Sequence, residues 1–218
     1  MNSPLIQLLV LAAIAVFLIL RLKNVLGTRE GFEKPPAAVP PLPRKGPAFE
    51  VIEGGPDLDI TDHFDEGTPQ ARALAEMKRL EPSFNVTEFL AGARGAYEMI
   101  VMGYERGELD TIRPFISEDI YESFVDGVAA REDQGLTIEA NFIGVREMAL
   151  DNVTLGPDTK EAEMTLRFVA ELTQAVRNAE GEIVEGSVTD AKKQKDTWVF
   201  ARIMGADDPN WLLVSTDG

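Results

Sequence analysis

The side chains that most often carry covalent or metal chemistry are scarce in this sequence: one histidine, His63, and no cysteine in 218 residues. His63 lies in TDHFDE, with Asp59, Asp62, Asp65 and Glu66 close by. Such a set could collect a cation, but a metal site needs several ligands converging on one point. A segment with no apolar period gives no such convergence, so this one reads as solvated acidic linker. Beyond His63 neither histidine nor cysteine recurs, which removes Cys–His and Ser–His nucleophile pairs from the rest of the chain. There is no phosphate-cradling G-x-x-x-x-G-K-[ST] loop, and Gly54-Gly55 precedes no helical pattern. Gly92 and Gly95 of GARG read as positions of close helix packing. The adjacent carboxylates Glu118-Asp119 and Glu132-Asp133 fall where solvated helix ends are expected. The expectation is a protein with no catalytic residues, no cofactor and no metal.

Aromatic residues are the more informative chemistry. Phe89, Tyr97, Trp198, Phe200 and Trp211 either fill a core or line a cavity between helices and a curved sheet. Buried Trp and Tyr need a partner for N–H or O–H, so a cavity there would be polar-tipped. These five are the candidate pocket residues. An isomerase- or dehydratase-type site would further require a buried Asp or Glu beside Tyr97 or Trp198.

The elements that position these residues follow from periodicity. Asn85, with Glu88 three residues on, is a helix cap, and Val86, Phe89, Leu90, Ala93, Tyr97, Ile100, Val101 and Tyr104 form one helical stripe ending near Gly107. Leu109, Ile112 and Phe115 mark a short turn or helix. Ser117 then caps a second long helix with Ile120, Tyr121, Phe124, Val125 and Val128 on its buried face, and Gly135 ends it. From Leu136 the period becomes 2. Leu136, Ile138, Ala140 and Phe142 alternate, with a slip at Ile143 and Val145 that implies a bulge. Ala162–Leu172, Ile183–Val188, Trp198–Met204 and Asn210–Thr216 supply further strands. Helices followed by consecutive antiparallel strands predict an α+β domain over 84–218 with helices on one face of a curved sheet.

Upstream, the pattern is different. Pro4–Leu20 is an apolar run whose only polar side chain is Gln7, long enough with its flanks to span roughly 30 Å of hydrocarbon. Arg21, Lys23 and Arg29 follow it and no Lys or Arg precedes it. That order is opposite to a signal peptide and places the following residues on the cytoplasmic side. Residues 1–23 are thus expected to be a single-pass membrane anchor, N-terminus out. Residues 24–83 hold nine of the thirteen prolines from Pro35 on and read as a linker, with a short helix near 69–81 capped by Thr68. Residues 21–45 carry six Lys/Arg against two Asp/Glu, whereas 46–218 carry fifteen against thirty-five. The basic collar suits anionic lipid headgroups. The acidic remainder argues against nucleic acid.

NVTEFLAGARGAYEMIVMGYERGELDTIRPFISEDIYESFVDGVAAREDQG resembles the helical half of the Tim-type domain, named for the forty-four-kilodalton subunit of the mitochondrial inner-membrane translocase. Phe89–Ala93, Ala96–Val101, Tyr121–Phe124 and Arg131–Gly135 carry the pattern, and DTWVFAR and DPNWLLVST near the C-terminus are similar to it. The anchor and LGTREGFE are similar to an α-proteobacterial branch described as adaptors, which implies that the membrane is a bacterial inner membrane. The resemblance implies a cone-like fold similar to nuclear-transport-factor-2-like domains, and a scaffold role at an inner membrane. It implies a protein partner, such as a chaperone, translocase or membrane-protein assembly factor, and no catalytic residues. The mitochondrial relative's long charged N-terminal region, which recruits a chaperone, has no counterpart here. A lipid- or small-ligand-binding module using the cone's pocket is the alternative.

Overall fold

The computed structural model describes residues 55–217. The expected anchor at 1–23, its basic residues Arg21, Lys23 and Arg29, and the linker up to residue 54 lie outside the described residues. Among the described residues no helix is long and apolar enough to cross a membrane.

The elements run α1 (Leu58–Thr61), α2 (Pro69–Leu80), α3 (Val86–Arg106), α4 (Leu109–Ile112), a 3-10 turn (Arg113–Phe115) and α5 (Glu118–Asp133). Four strands follow, β1 (Thr137–Leu155), β2 (Glu161–Arg177), β3 (Ile183–Ile203) and β4 (Leu212–Asp217). They pair antiparallel in the order β1-β2-β3-β4. The domain is α+β.

Local chemistry sets the helix ends. Thr68 accepts from the Ala71 N–H with Pro69 at the first helical position, and Asn85 accepts from the Glu88 N–H at 2.9 Å. Gly107 takes φ 71°, the left-handed conformation that ends α3. Three further donors at the start of α3 are satisfied from far away. The Asp59 carboxylate accepts from Val86 N–H at 2.8 Å, from Thr87 N–H at 3.0 Å and from Thr87 Oγ1 at 2.9 Å.

α2 and α3 both pack against β1. The α3 stripe Val86, Phe89, Ala93, Tyr97, Ile100 and Val101 is buried against Met164, Leu166 and Phe168 of β2 and Phe200 of β3. The same core takes in Ile60 and the fully buried Leu74 and Met77 of α2. Packing therefore starts upstream of residue 84, because α2 spends its apolar face on the sheet.

Two departures from the sequence-based expectation have physical reasons. Ile183–Val188 and Trp198–Met204 are ends of one strand, since Lys192, Lys193 and Lys195 are exposed and give no alternation between them. Residues 188–191 bulge out opposite Thr173, and Gly186 beside them has φ 76°, where a Cβ would collide with the Gln174 carbonyl oxygen. On α5, Ile120, Tyr121, Phe124 and Val128 are only half-buried and Val125 is 38% exposed, because this helix touches α4 and β4 rather than the sheet centre. The slip expected near Ile143 is present as register shifts between Phe142 and Gly144 and between Val145 and Glu147.

Candidate functional site

The five candidate aromatics form one continuous row between α3 and the sheet. Trp211, just before β4, lies 4.7 Å between ring centroids from Phe89 of α3. Phe89 meets Phe200 of β3 edge-on at 6.1 Å, Phe200 meets Trp198 at 6.1 Å, and Trp198 meets Tyr97 of α3 at 4.6 Å. Phe89 and Tyr97 are two helical turns apart, and Trp198 and Phe200 share a strand face, so each pair projects to one side.

The row does not line one cavity. At one end Phe89, Phe200 and Trp211 open onto a groove of about 410 Å³, completed by Gly92, Gly95, Ala96, Met99 and Phe115. Its polar lining includes Glu88 and Asn210. Gly92 and Gly95 are not close-packing positions, contrary to expectation: a Cβ at either would meet no atom within 4 Å. The close-packing glycine of α3 is Gly103, whose Cβ would run into Ile112. The groove therefore has a floor of bare helix backbone, at a cost of roughly 1 kcal/mol of helix propensity per glycine. The spacing Phe89, Gly92, Ala96, Met99 on one helical face was the available signal for it.

At the other end Tyr97 is closed in. Tyr97 is fully buried, stacks on Phe168 at 4.3 Å, and donates its hydroxyl to the Asp196 carboxylate. Gln194 Nε2 donates to the second carboxylate oxygen at 3.1 Å. Burial first, and then the neighbouring Asp196, push the Tyr97 hydroxyl far above the usual tyrosine range, so it stays a donor. The carboxylate that an isomerase- or dehydratase-type site would need beside Tyr97 or Trp198 is thus present as Asp196, the first residue of DTWVFAR and not among the candidate site residues. Trp198 borders a second cleft of about 470 Å³ on the Asp196 side, whereas Tyr97 lines neither cavity.

Among the described residues no three His, Cys, Asp or Glu side chains come close enough to hold an ion. Asp59 is structural instead of solvated: besides capping α3, it pairs with Lys78 of α2 at 2.8 Å. Burial raises the Asp59 pKa, but the Lys78 ammonium and the Val86 and Thr87 donors outweigh it and hold the carboxyl well below the usual range.

A sequence profile described as the Tim44-like domain matches residues 70–218. The chain belongs to the Tim44-like domain family. The matched span opens inside α2 and contains both ends of the aromatic row. Among curated proteins, the mitochondrial import inner membrane translocase subunit TIM44-1 of Arabidopsis thaliana is 20% identical over 161 residues, 71% of this chain and 34% of that protein. The human mitochondrial import inner membrane translocase subunit TIM44 is 24% identical over 139 residues, 62% of this chain and 30% of that one. The chain thus spans about a third of the length of these relatives. The crystal structure of the intermembrane-space region of the chloroplast protein ARC6 aligns with a TM-score of 0.37 at 12% identity, over 57% of this chain and 94% of that chain. That likeness is too slight to bear on function.

Proposed function

We propose that this chain is a membrane-tethered adaptor whose Tim44-like domain holds a protein partner in protein translocation or membrane-protein assembly. The observation that carries this reading is the match of residues 70–218 to a domain whose similar curated proteins are named translocase subunits. The groove at Phe89, Gly92, Gly95 and Trp211 is the docking surface: it is apolar, open, and built on glycines that packing does not require. The apolar run Pro4–Leu20 is the tether, in a bacterial inner membrane with the folded domain on the cytoplasmic side. Arg21, Lys23 and Arg29 add contacts to anionic headgroups, about 1 kcal/mol each near the surface. The role is binding and not catalysis. Tyr97 already spends its proton on Asp196, which leaves this hydroxyl no donor for a substrate.

The test is affinity purification of the full chain from crosslinked, solubilised membranes, beside a Gly92→Trp variant that fills the groove. A defined partner recovered with the parent chain and lost with the variant supports the reading; equal recovery from both contradicts it. The groove's volume and apolar walls favour a second reading, a lipid or small apolar ligand. Native mass spectrometry separates the two, since a bound lipid leaves a discrete added mass on the purified chain and a protein-only site leaves none.

A further inference from the structure

Ion pairing in this domain follows a rule with one exception. Among the described residues five carboxylate residues are half-buried: Asp59, Glu76, Glu81, Glu105 and Glu171. Each has a basic partner within 4 Å, respectively Lys78, Arg79, Arg202, Arg131 and Arg146. Asp196 is more buried than any of them, at 7% exposure, and has no basic partner within that distance. Its oxygens each take one neutral donor, from Tyr97 and from Gln194. A carboxylate offers about four lone-pair directions, so about two remain free. Leaving a buried charge without a counter-charge is unfavourable unless something supplies one.

Asp196 also borders an open cleft. The second cleft, of about 470 Å³, is walled by Tyr104, Phe124 and Trp198 and has Asp196 in its lining. Aromatic faces beside a carboxylate are the surroundings in which a guanidinium or ammonium group is held best, by charge-assisted hydrogen bonds and by the ring quadrupoles. The chain builds the same combination next door and fills it itself: the Arg131 guanidinium lies 4.7 Å over the Tyr104 ring and 3.8 Å from Glu105. Lys192 and Lys195 also line the cleft, yet neither comes within ion-pair distance of Asp196.

We propose that this cleft is a binding site for a guanidinium or primary ammonium group, seated against the Asp196 carboxylate and the Trp198 ring. The site is separate from the groove at Phe89 and Trp211 and does not depend on the adaptor reading. The group comes either from a free small cation or from a basic side chain of a bound protein.

The experiment is a titration of the full chain carrying Trp211→Phe, so that Trp198 is the sole tryptophan, followed by fluorescence. The probes are methylguanidinium, methylammonium, N-acetylarginine amide and neutral methylurea. Saturable changes with the cations and none with methylurea are expected, weakened at least tenfold by Asp196→Asn. Tighter binding of N-acetylarginine amide than of methylguanidinium identifies a protein side chain as the source, and equal binding a free cation. No saturable change with any cation, or an unchanged response in Asp196→Asn, overturns the proposal. If Asp196→Asn does not fold, Tyr97→Phe replaces it: the charge stays and a lone pair is freed, so affinity must rise, and an unchanged affinity overturns the proposal. Binding that appears only in a Lys192→Ala/Lys195→Ala double variant means the chain's own lysine occupies the carboxylate, which also overturns it.

Discussion

Each end of the aromatic row sets an α3 ring against a tryptophan, Phe89 on Trp211 at 4.7 Å and Tyr97 on Trp198 at 4.6 Å, yet the ends differ in what surrounds them. At Phe89 and Trp211 the helix surface carries Gly92 and Gly95 with no atom near enough to meet a Cβ, and the rings face open space. At the other end the Tyr97 ring is fully buried, and its polar tip, the hydroxyl, is locked onto a carboxylate from β3. Aromatic spacing alone places rings in a core. Whether that core opens depends on the small residues beside them and on partners brought by the tertiary fold.

This contrast can be broken from either side. The largest effect is expected at the closed end, where Tyr97→Ala removes a fully buried ring and strands Asp196; urea denaturation should show a loss of roughly 3–5 kcal/mol. Phe89→Ala at the open end should lose less, because its groove face has no packing to forfeit. Next, Asp59→Asn should destabilise by about 2 kcal/mol by the same measurement. That is below the 3–5 kcal/mol typical of a fully buried pair, since the Asp59 and Lys78 side chains are 14% and 20% exposed. Gly103→Ala should cost about 1–2 kcal/mol through collision with Ile112. Smallest, and opposite in sign, Gly92→Ala and Gly95→Ala should each stabilise by roughly 0.5–1 kcal/mol, because helix propensity improves and nothing is displaced.

The pH dependence sharpens the same comparison. Asp59 and Glu81 have folded-state pKa values held below the ordinary carboxylate value, Asp59 as described and Glu81 by hydrogen bonding from Arg202. Their contribution is therefore present above about pH 4–5 and lost as the pH falls below that. Tyr97 is shifted the other way. Its contribution is complete below about pH 10 and declines above it, where the unfolded chain ionises and the folded one does not. Melting temperatures measured across pH 3–11 should show both limbs, and Tyr97→Phe should flatten only the alkaline one.

Much of this fold was legible because local signals agreed with the global answer. The caps at Thr68, Asn85 and Ser117 and the stop at Gly107 are all used as read. Contacts made across the chain were not legible. Asp59 caps a helix 27 residues away, so its segment looked like linker. Asp196 meets Tyr97 across 99 residues, although the inward alternation of Gln194, Asp196, Trp198 and Phe200 would have placed a carboxylate on the buried face. Gly92 and Gly95 were visible as glycines, but sequence does not distinguish a crowded glycine from an open one. The full length of β3 was hidden for a further reason: its first half is exposed on both faces and has no hydrophobic period to read.

Docking of a protein partner at the open end of the row is the proposal on which the adaptor reading rests. Site-specific photocrosslinking tests it most directly, with a benzophenone amino acid placed at Gly95 of the full chain in native membranes, and at Glu180 in the exposed β2–β3 turn as control. A discrete covalent adduct with one protein is expected from Gly95, none from Glu180, and loss of the adduct when Phe89→Glu is added. Adducts of equal yield from both positions, or a Gly95 adduct indifferent to Phe89→Glu, would contradict it.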